Sequence, residues 1–420
     1  MIPFGTLILA ATLLQTPSLD SPSPKERLDA VDAMALPGRA ENVSPLAEAL
    51  KKEPRSDVRA AIVAGLGRIG GADVIPVLTQ SLQSDLDKDV RLQVVDSFQR
   101  LYIPVNSQGP IKTVFNKVKS VFAEADRPVV SNPSIVDPKV TSALADSMQK
   151  DFAEDVRAAA ARALGSLKAR DRVAVLIATL ESPQNRDHRP VRQEIVESLG
   201  LIRDDAAGPA LQRALQDNDR DIAQAAILSI GLVGYKSARP ALEDIFKNDR
   251  SEISRKKALE AIALLGDPGS QPLLESLLGN TNDSYRELAA EGLARIGPDA
   301  NLVKTRFEME KKANVRNALA FALVSAGQDN YVNDLASALD TRQAYQVQVY
   351  LYELGKYKGK LPELHRYLKS SNSRVRAKMA HIVGDIGDPS SRTLIEELTK
   401  DRDSEVASEA IIALRKLTPA

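Results

Sequence analysis

The sequence predicts an all-α fold, a solenoid of stacked helix pairs, and three observations predict it. A phrase of about 30 residues returns along the chain, and a period in that range marks units that bury their apolar faces only against their neighbours. Within each copy the apolar residues recur at helical spacing. Between copies stand Gly, Asp and Pro, in the order that closes one helix and opens the next.

The phrase is an acidic residue, Val, Arg, an Ala-rich run and Leu-Gly. It reads Asp57-Val58-Arg59 to Leu66-Gly67, Asp155-Val156-Arg157 to Leu164-Gly165, and Val191-Arg192 to Leu199-Gly200. Looser copies start near Ile222, Ser254, Tyr285, Val315, Val375 and Val406. In the copy that opens at Ser373, Val375, Met379, Ile382, Val383 and Ile386 form one stripe of a first helix, helix A. Gly387-Asp388-Pro389 ends it, and Ser391 to Leu398 reads as helix B. The same punctuation recurs at Gly266-Asp267-Pro268 and, altered, at Gly297-Pro298-Asp299. Counting a degenerate unit from Pro24, residues 24–420 hold about twelve repeats, the last without helix B.

Composition agrees. A chain of 420 residues is longer than one core organises, whereas an array lengthens by adding units. Hydrophobic residues make up 43 % with only 4 % aromatic and no Trp, which suits thin Ala/Leu/Val/Ile packing between helices. Lys plus Arg (56) equal Asp plus Glu (56), a balance that weighs against a dedicated nucleic-acid binder. The absence of Cys excludes disulfides, thiolate metal sites and Cys nucleophiles. Residues 2–14 are apolar and uncharged, and a Pro/Ser-rich stretch follows. Residues 1–23 therefore read as a secretory signal peptide and linker, too short for a comfortable membrane span. The expected location is exported, periplasmic or secreted, with a cytoplasmic protein as the alternative.

Two places break the rhythm. Val90 and Val156 are 66 positions apart, about one unit too many. Helix A there ends near Tyr102 and helix B begins at Pro138, which leaves an insertion over about 103–136. Ile111, Val114, Phe115, Val118, Val121 and Phe122 share one helical face, with Lys112, Lys117 and Lys119 elsewhere. Phe115, Lys117, Lys119 and Phe122 are candidate contacts to a partner or a membrane; the alternative is that the segment covers its own solenoid. The second break is aromatic: six of the nine tyrosines fall between 331 and 367. Tyr345, Tyr350, Tyr352 and Tyr357 are candidate partner contacts, and packing in place of Ala or Val is the alternative reading.

Catalytic signatures do not assemble. Gly65-Leu66-Gly67-Arg68-Ile69-Gly70 matches G-x-G-x-x-G, but it ends an amphipathic helix, whereas the dinucleotide fingerprint opens one after a strand. The three histidines, His188, His365 and His381, have no neighbour at metal-ligand spacing, and no nucleophile elbow or Walker loop is present. No catalytic, cofactor or metal residue is assigned, and no cofactor is expected.

The units resemble HEAT repeats, in the short HEAT-like form also found in phycobilisome lyases, from about residue 25 to the end. The resemblance implies a right-handed superhelix whose recurring Asp and Arg (Asp57/Arg59, Asp89/Arg91, Asp155/Arg157) cap helix A and bridge to the next unit. It covers scaffolds, adaptors and a few enzymes. The HEAT-repeat hydroxylase of hypusine synthesis uses adjacent His-Glu pairs for iron, and this chain has none. The expectation is a non-enzymatic scaffold that binds a protein or peptide, with helix B residues lining its concave face. The alternatives are a helper or lyase acting on a protein partner, as the resemblance to phycobilin-handling members implies, and a nucleic-acid binder. Membrane contact is expected only through the amino-terminal segment or the insertion.

Overall fold

The structure, a computed structural model, describes residues 18–103 and 132–417. Among the described residues every regular element is helical, and the α-helices come as antiparallel pairs joined, except between Arg100 and Pro138, by short loops and 3-10 turns. Two compact units divide the chain, Met1–Ala225 and Ala226–Ala420.

In the first unit the pairs are α1 (Pro24–Met34) with α2 (Val43–Lys52), and α3 (Ser56–Ile69) with α4 (Val74–Ser84). Then come α5 (Lys88–Arg100) with α6 (Pro138–Lys150), α7 (Glu154–Ser166) with α8 (Val173–Glu181), and α9 (Arg189–Ile202) with α10 (Gly208–Ala214). The division falls within α11 (Arg220–Val233), whose partner is α12 (Arg239–Asn248). The second unit continues with α13 (Glu252–Leu265) and α14 (Gln271–Leu277), then α15 (Asp283–Ile296) and α16 (Ala300–Met309). It ends with α17 (Ala313–Ser325) and α18 (Val332–Ala338), α19 (Ala344–Tyr357) and α20 (Leu361–His365), α21 (Ser373–Ile386) and α22 (Arg392–Leu398), and the unpaired α23 (Ser404–Lys416). Among the described residues, eleven pairs and a lone helix A at the end agree with the roughly twelve repeats read from the sequence.

The punctuation works as its chemistry requires. Gly387, at φ 72°, closes α21 in the left-handed conformation that an L side chain resists. Asp388 then accepts the Ser390 N–H, and Pro389 opens the turn into α22. Asp87, Asp137, Asn282, Asp299, Asn372 and Asp403 cap their helices in the same way.

The first helices of successive pairs approach almost backbone to backbone. A Cβ on Gly67 would lie 2.8 Å from the Cβ of Ser97, one on Gly165 2.7 Å from that of Ser198, and one on Gly384 2.6 Å from that of Ala413. Ser97 and Ser198 complete the contact by donating their hydroxyls to the carbonyls of Val63 and Ala161 on the preceding first helix. Second helices are spaced more widely, with open clefts between them. Within each unit the tighter row belongs to helix A, where Gly, Ala and Ser permit a closeness that the bulkier second helices do not.

Candidate functional site

At several repeats the recurring Arg ties one pair to the next. Arg59 donates through Nε and Nη2 to Asp85, at 2.8 and 2.9 Å, and through Nη1 to the carbonyl of Glu53 in its own entry loop. Arg27 does the same with Glu53, Arg91 with Asp151, Arg286 with Glu310 and Arg376 with Asp401. The bridging role holds for Arg59 and Arg91, with a later acid as partner, whereas Arg157 donates to the Asp151 carbonyl of its own entry loop and its buried Nε has no hydrogen-bond partner; Asp155 instead accepts from Lys88 of the preceding pair. Asp57 lies exposed in the first turn and pairs with Arg55, while the bridge uses Asp85, at the start of the following entry loop.

These bridges sit beside a series of clefts. Between α2 and α4 a cleft of about 530 Å³ is lined by Ala47, Lys51, Gln80, Ser84 and Leu86, with the Arg59–Asp85 pair. Between α8 and α10 a cleft of about 390 Å³ repeats the arrangement with Arg192–Asp217, Pro183 and Arg213. Between α14 and α16 a third, of about 380 Å³, has Arg286–Glu310, Leu278, Arg306, Met309, Lys311 and Lys312. All three occupy the same register of the repeat, at the carboxyl ends of second helices. The residue after the bridging acid is exposed at Leu86 (88 %) in the first cleft and at Lys311 in the third, and likewise at Phe152 (75 %) after Asp151, outside the three clefts. The clefts are therefore alike in position and different in chemistry.

On the first-helix row of the second unit, polar side chains form a buried clasp. Tyr350 on α19 donates its hydroxyl to Glu291 on α15, two repeats away, and accepts from Nε2 of Gln346 at 2.8 Å. Gln346 also donates to Glu287 at 2.6 Å, and Asn314 of the intervening α17 donates to the other oxygen of Glu287. Arg295 closes the row with a bidentate pair to Glu353, at 3.0 and 2.6 Å. Beneath the clasp the rings of Phe321 and Tyr350 stack with centroids 4.6 Å apart. Burial pushes the Glu291 carboxyl up to about 8; the guanidinium of Arg295 opposes the rise and the charge of Glu287 adds to it. Burial likewise raises Glu287, and it lifts Tyr350 well above its ordinary range. Glu291 Oε2 has no hydrogen-bond partner, which suits a carboxyl that stays neutral at neutral pH. With Glu291 and Tyr350 both 2 % exposed, no substrate reaches this pair, and the clasp joins helices.

The tyrosines separate accordingly. Tyr350 is buried in the clasp and is no surface contact. Tyr357 is exposed at 66 % and receives Tyr352 edge-on at 6.1 Å, while Tyr345 is half-buried. Phe115, Lys117, Lys119 and Phe122 lie outside the described residues, as does the apolar run of residues 2–14. His188 meets Glu154 at 3.1 Å, His365 meets the Ser391 hydroxyl at 2.8 Å, and His381 meets Glu409 at 3.1 Å. Among the described residues no group of three or more His, Asp or Glu is placed to hold a metal ion, and no helix is long and apolar enough to cross a membrane. The G-x-G-x-x-G glycines finish α3, with Gly70 as its cap at φ 73°.

Clefts and clasp escape a sequence reading for different reasons. The clefts depend on the unequal spacing of the two rows. The clasp joins residues 58 and 59 positions apart, and its one local trace is Glu287, Glu291 and Arg295 at four-residue spacing on a helix whose apolar stripe is already complete.

Helix pairs stacked in register and tied pair to pair by arginine bridges define an α-solenoid repeat protein. A family profile for HEAT repeats matches residues 13–99, 141–231, 184–263, 240–324 and 332–415, and the chain belongs to the HEAT-repeat family. No curated protein matches it in sequence. Among solved structures it is similar to importin beta, at 12 % identity and TM-score 0.50 over 93 % of this chain and 62 % of that one. It also matches the CpcE–CpcF complex of phycocyanin lyase from Nostoc sp., at 16 % identity and TM-score 0.37, over 66 % and 94 % of the two chains. Human deoxyhypusine hydroxylase matches at 14 % identity and TM-score 0.30, over 82 % and 95 %. At these identities the likeness is one of fold.

Proposed function

We propose that this HEAT-repeat protein is a non-enzymatic scaffold that holds an extended polypeptide along its second-helix row. The observation that supports the reading is the series of open clefts at one register of the repeat. A rigid row of helices is pre-organised for such a ligand, so less ordering opposes association. Each cleft offers an apolar wall beside polar rims, the mixture that receives alternate side chains of an extended segment. Export, read from residues 1–23, would place this scaffold in the periplasm or outside the cell; amino-terminal sequencing of the fractionated native protein checks it.

A peptide array probed with the full chain tests the scaffold. Gln80 and Ser84 are exposed and line the α2–α4 cleft, so Gln80→Trp with Ser84→Trp fills it without touching the core. The expected result is a set of bound peptides, some of which the filled variant loses while its melting temperature is kept. An array that binds nothing, or a filled variant with an unchanged set, overturns the reading.

A further inference from the structure

We infer that the cleft between α14 and α16 selects an acidic polypeptide segment, Asp- or Glu-rich around an apolar residue; this rests on the scaffold reading above. The charge left over differs from cleft to cleft. In the α2–α4 cleft Lys51 pairs with Glu48 and Arg59 with Asp85, so no cation is left over. In the α8–α10 cleft Arg192 pairs with Asp217 and Arg213 with Glu181, which leaves Arg186. In the α14–α16 cleft the one carboxylate, Glu310, is taken by Arg286 through both oxygens, at 2.7 and 3.1 Å. It also accepts the backbone N–H groups of Lys311 and Lys312, each at 2.9 Å. Arg306, Lys311 and Lys312 then line the cleft with no carboxylate partner among the described residues.

Two details show a cleft shaped around those cations. The Arg306 guanidinium lies over Gly279, its nitrogens 3.2 and 3.3 Å from where a Cβ would stand, so the glycine makes room for it. Lys311 occupies the position after the bridging acid that Leu86 and Phe152 hold in the first unit, which turns an apolar rim into a charged one. A guanidinium fork with two ammonium groups favours carboxylates. Met309, exposed at 69 %, and Leu278 add an apolar wall for one side chain between them. Nucleic acid fits poorly, because binding single strands uses rings on which bases stack. The aromatic residue nearest in the chain, Phe307, is buried, with Tyr331 against its edge and Arg316 over its face at 4.0 Å.

The test is fluorescence anisotropy with the full chain and three labelled probes: a peptide of Glu residues around a central Leu, its Gln counterpart, and an oligothymidylate. The expected result is that the Glu peptide binds about tenfold tighter than the Gln peptide. The combined change Arg306→Gln, Lys311→Gln and Lys312→Gln should remove that preference, as should raising salt from about 50 to about 500 mM. Because these side chains make no ion pair among the described residues, the melting temperature of the variant should match the parent. Equal binding of the two peptides, an unaffected variant, or displacement of the Glu peptide by the oligothymidylate at equal concentration overturns the inference. If the Gln peptide binds equally well and Gln80→Trp with Ser84→Trp weakens it, the scaffold reading survives without the acidic preference. If neither peptide binds, and the array is also empty, both fall.

Discussion

The Tyr350 hydroxyl donates to Glu291 across an intervening repeat, 59 positions away in sequence. In a solenoid each unit rests on its neighbours, so a side-chain bond that skips one couples three repeats into a single element. The coupling has a pH signature. The ordinary carboxyl value for Glu291 is 4.5 and the folded value is about 8, so in that interval the folded chain holds a proton that the unfolded chain has released. Stability from this group is complete below the lower value and is lost as pH rises through the upper one. Glu291→Gln keeps an acceptor for Tyr350 and removes the titration. Thermal melts from about pH 5 to about pH 9 should fall more steeply for the parent than for the variant, which becomes the more stable of the two at the alkaline end. Identical slopes would mean that Glu291 does not titrate in this window.

At the acid end the bridges decide. Burial alone would raise Glu53, Asp85 and Glu310, yet hydrogen bonds from Arg27, Arg59 and Arg286 hold all three below the ordinary range. Their contribution is present above the ordinary carboxylate values and is lost as pH falls through the depressed ones. Stability should therefore peak in weakly acidic solution and decline on both sides. A melting-temperature profile rising monotonically from pH 3 to pH 9 would contradict the Glu291 assignment, and one falling monotonically would contradict the bridges.

The pair Arg91–Asp151 spans 60 positions and is buried, at 2 % and 5 % side-chain exposure. Arg91→Ala leaves the Asp151 carboxylate without its partner and should cost about 3–5 kcal/mol. Asp57→Ala, which removes an exposed pair with Arg55 and a bond from the adjacent Val58 N–H, should cost under about 1 kcal/mol although it sits in the same repeated phrase. Urea titrations of the two variants measure the difference. Equal losses would show that the buried bridge contributes no more than a surface pair.

What the sequence disclosed follows from the range of each interaction. Gly387-Asp388-Pro389 announces a helix end and the next start because capping acts over three or four residues, and the structure places it there. The Arg59 bridge was half legible: the Arg recurs at one register, but its acid is Asp85, 26 positions on, and the nearer Asp57 is the more conspicuous candidate. The tyrosine cluster marks a real departure from the repeat. Composition alone cannot separate Tyr350, buried under Glu291, from Tyr357 at the surface, because that depends on how α19 is rotated against α15. The clefts need both rows of helices in place and leave no trace in any single repeat.

Closeness of the first helices makes its own prediction. A Cβ on Gly165 would stand 2.8 Å from the Ser198 Cα, and one on Gly384 would stand 2.7 Å from the Ala413 Cα, so backbone and not a flexible side-chain end is met. Gly165→Val or Gly384→Val forces α7 from α9 or α21 from α23 and should cost about 1–3 kcal/mol or more. Ser198→Ala, which removes only the hydroxyl given to Ala161, should cost about 1 kcal/mol. Melting temperatures in that order support backbone contact as the tighter constraint; a Gly165→Val chain as stable as the parent would rule it out.

The insertion supplies the last prediction. Its two ends are held by the structure on either side: the Asp137 N–H donates to the Tyr102 hydroxyl at 3.2 Å, and Ile103 is buried. Further along, Arg91 grips Asp151 as if α5 and α6 were joined by an ordinary loop. Neither contact draws on residues 104–131, so replacing those residues with a short Gly/Ser linker should leave the fold intact and shift the melting temperature by only about 2–4 °C. Loop-closure entropy slightly favours the shorter connection. Circular dichroism with a cooperative melt checks the result. A chain that no longer unfolds cooperatively would show that residues 104–131 complete the α5–α6 pair, and would leave Tyr102 and Asp137 insufficient to hold it.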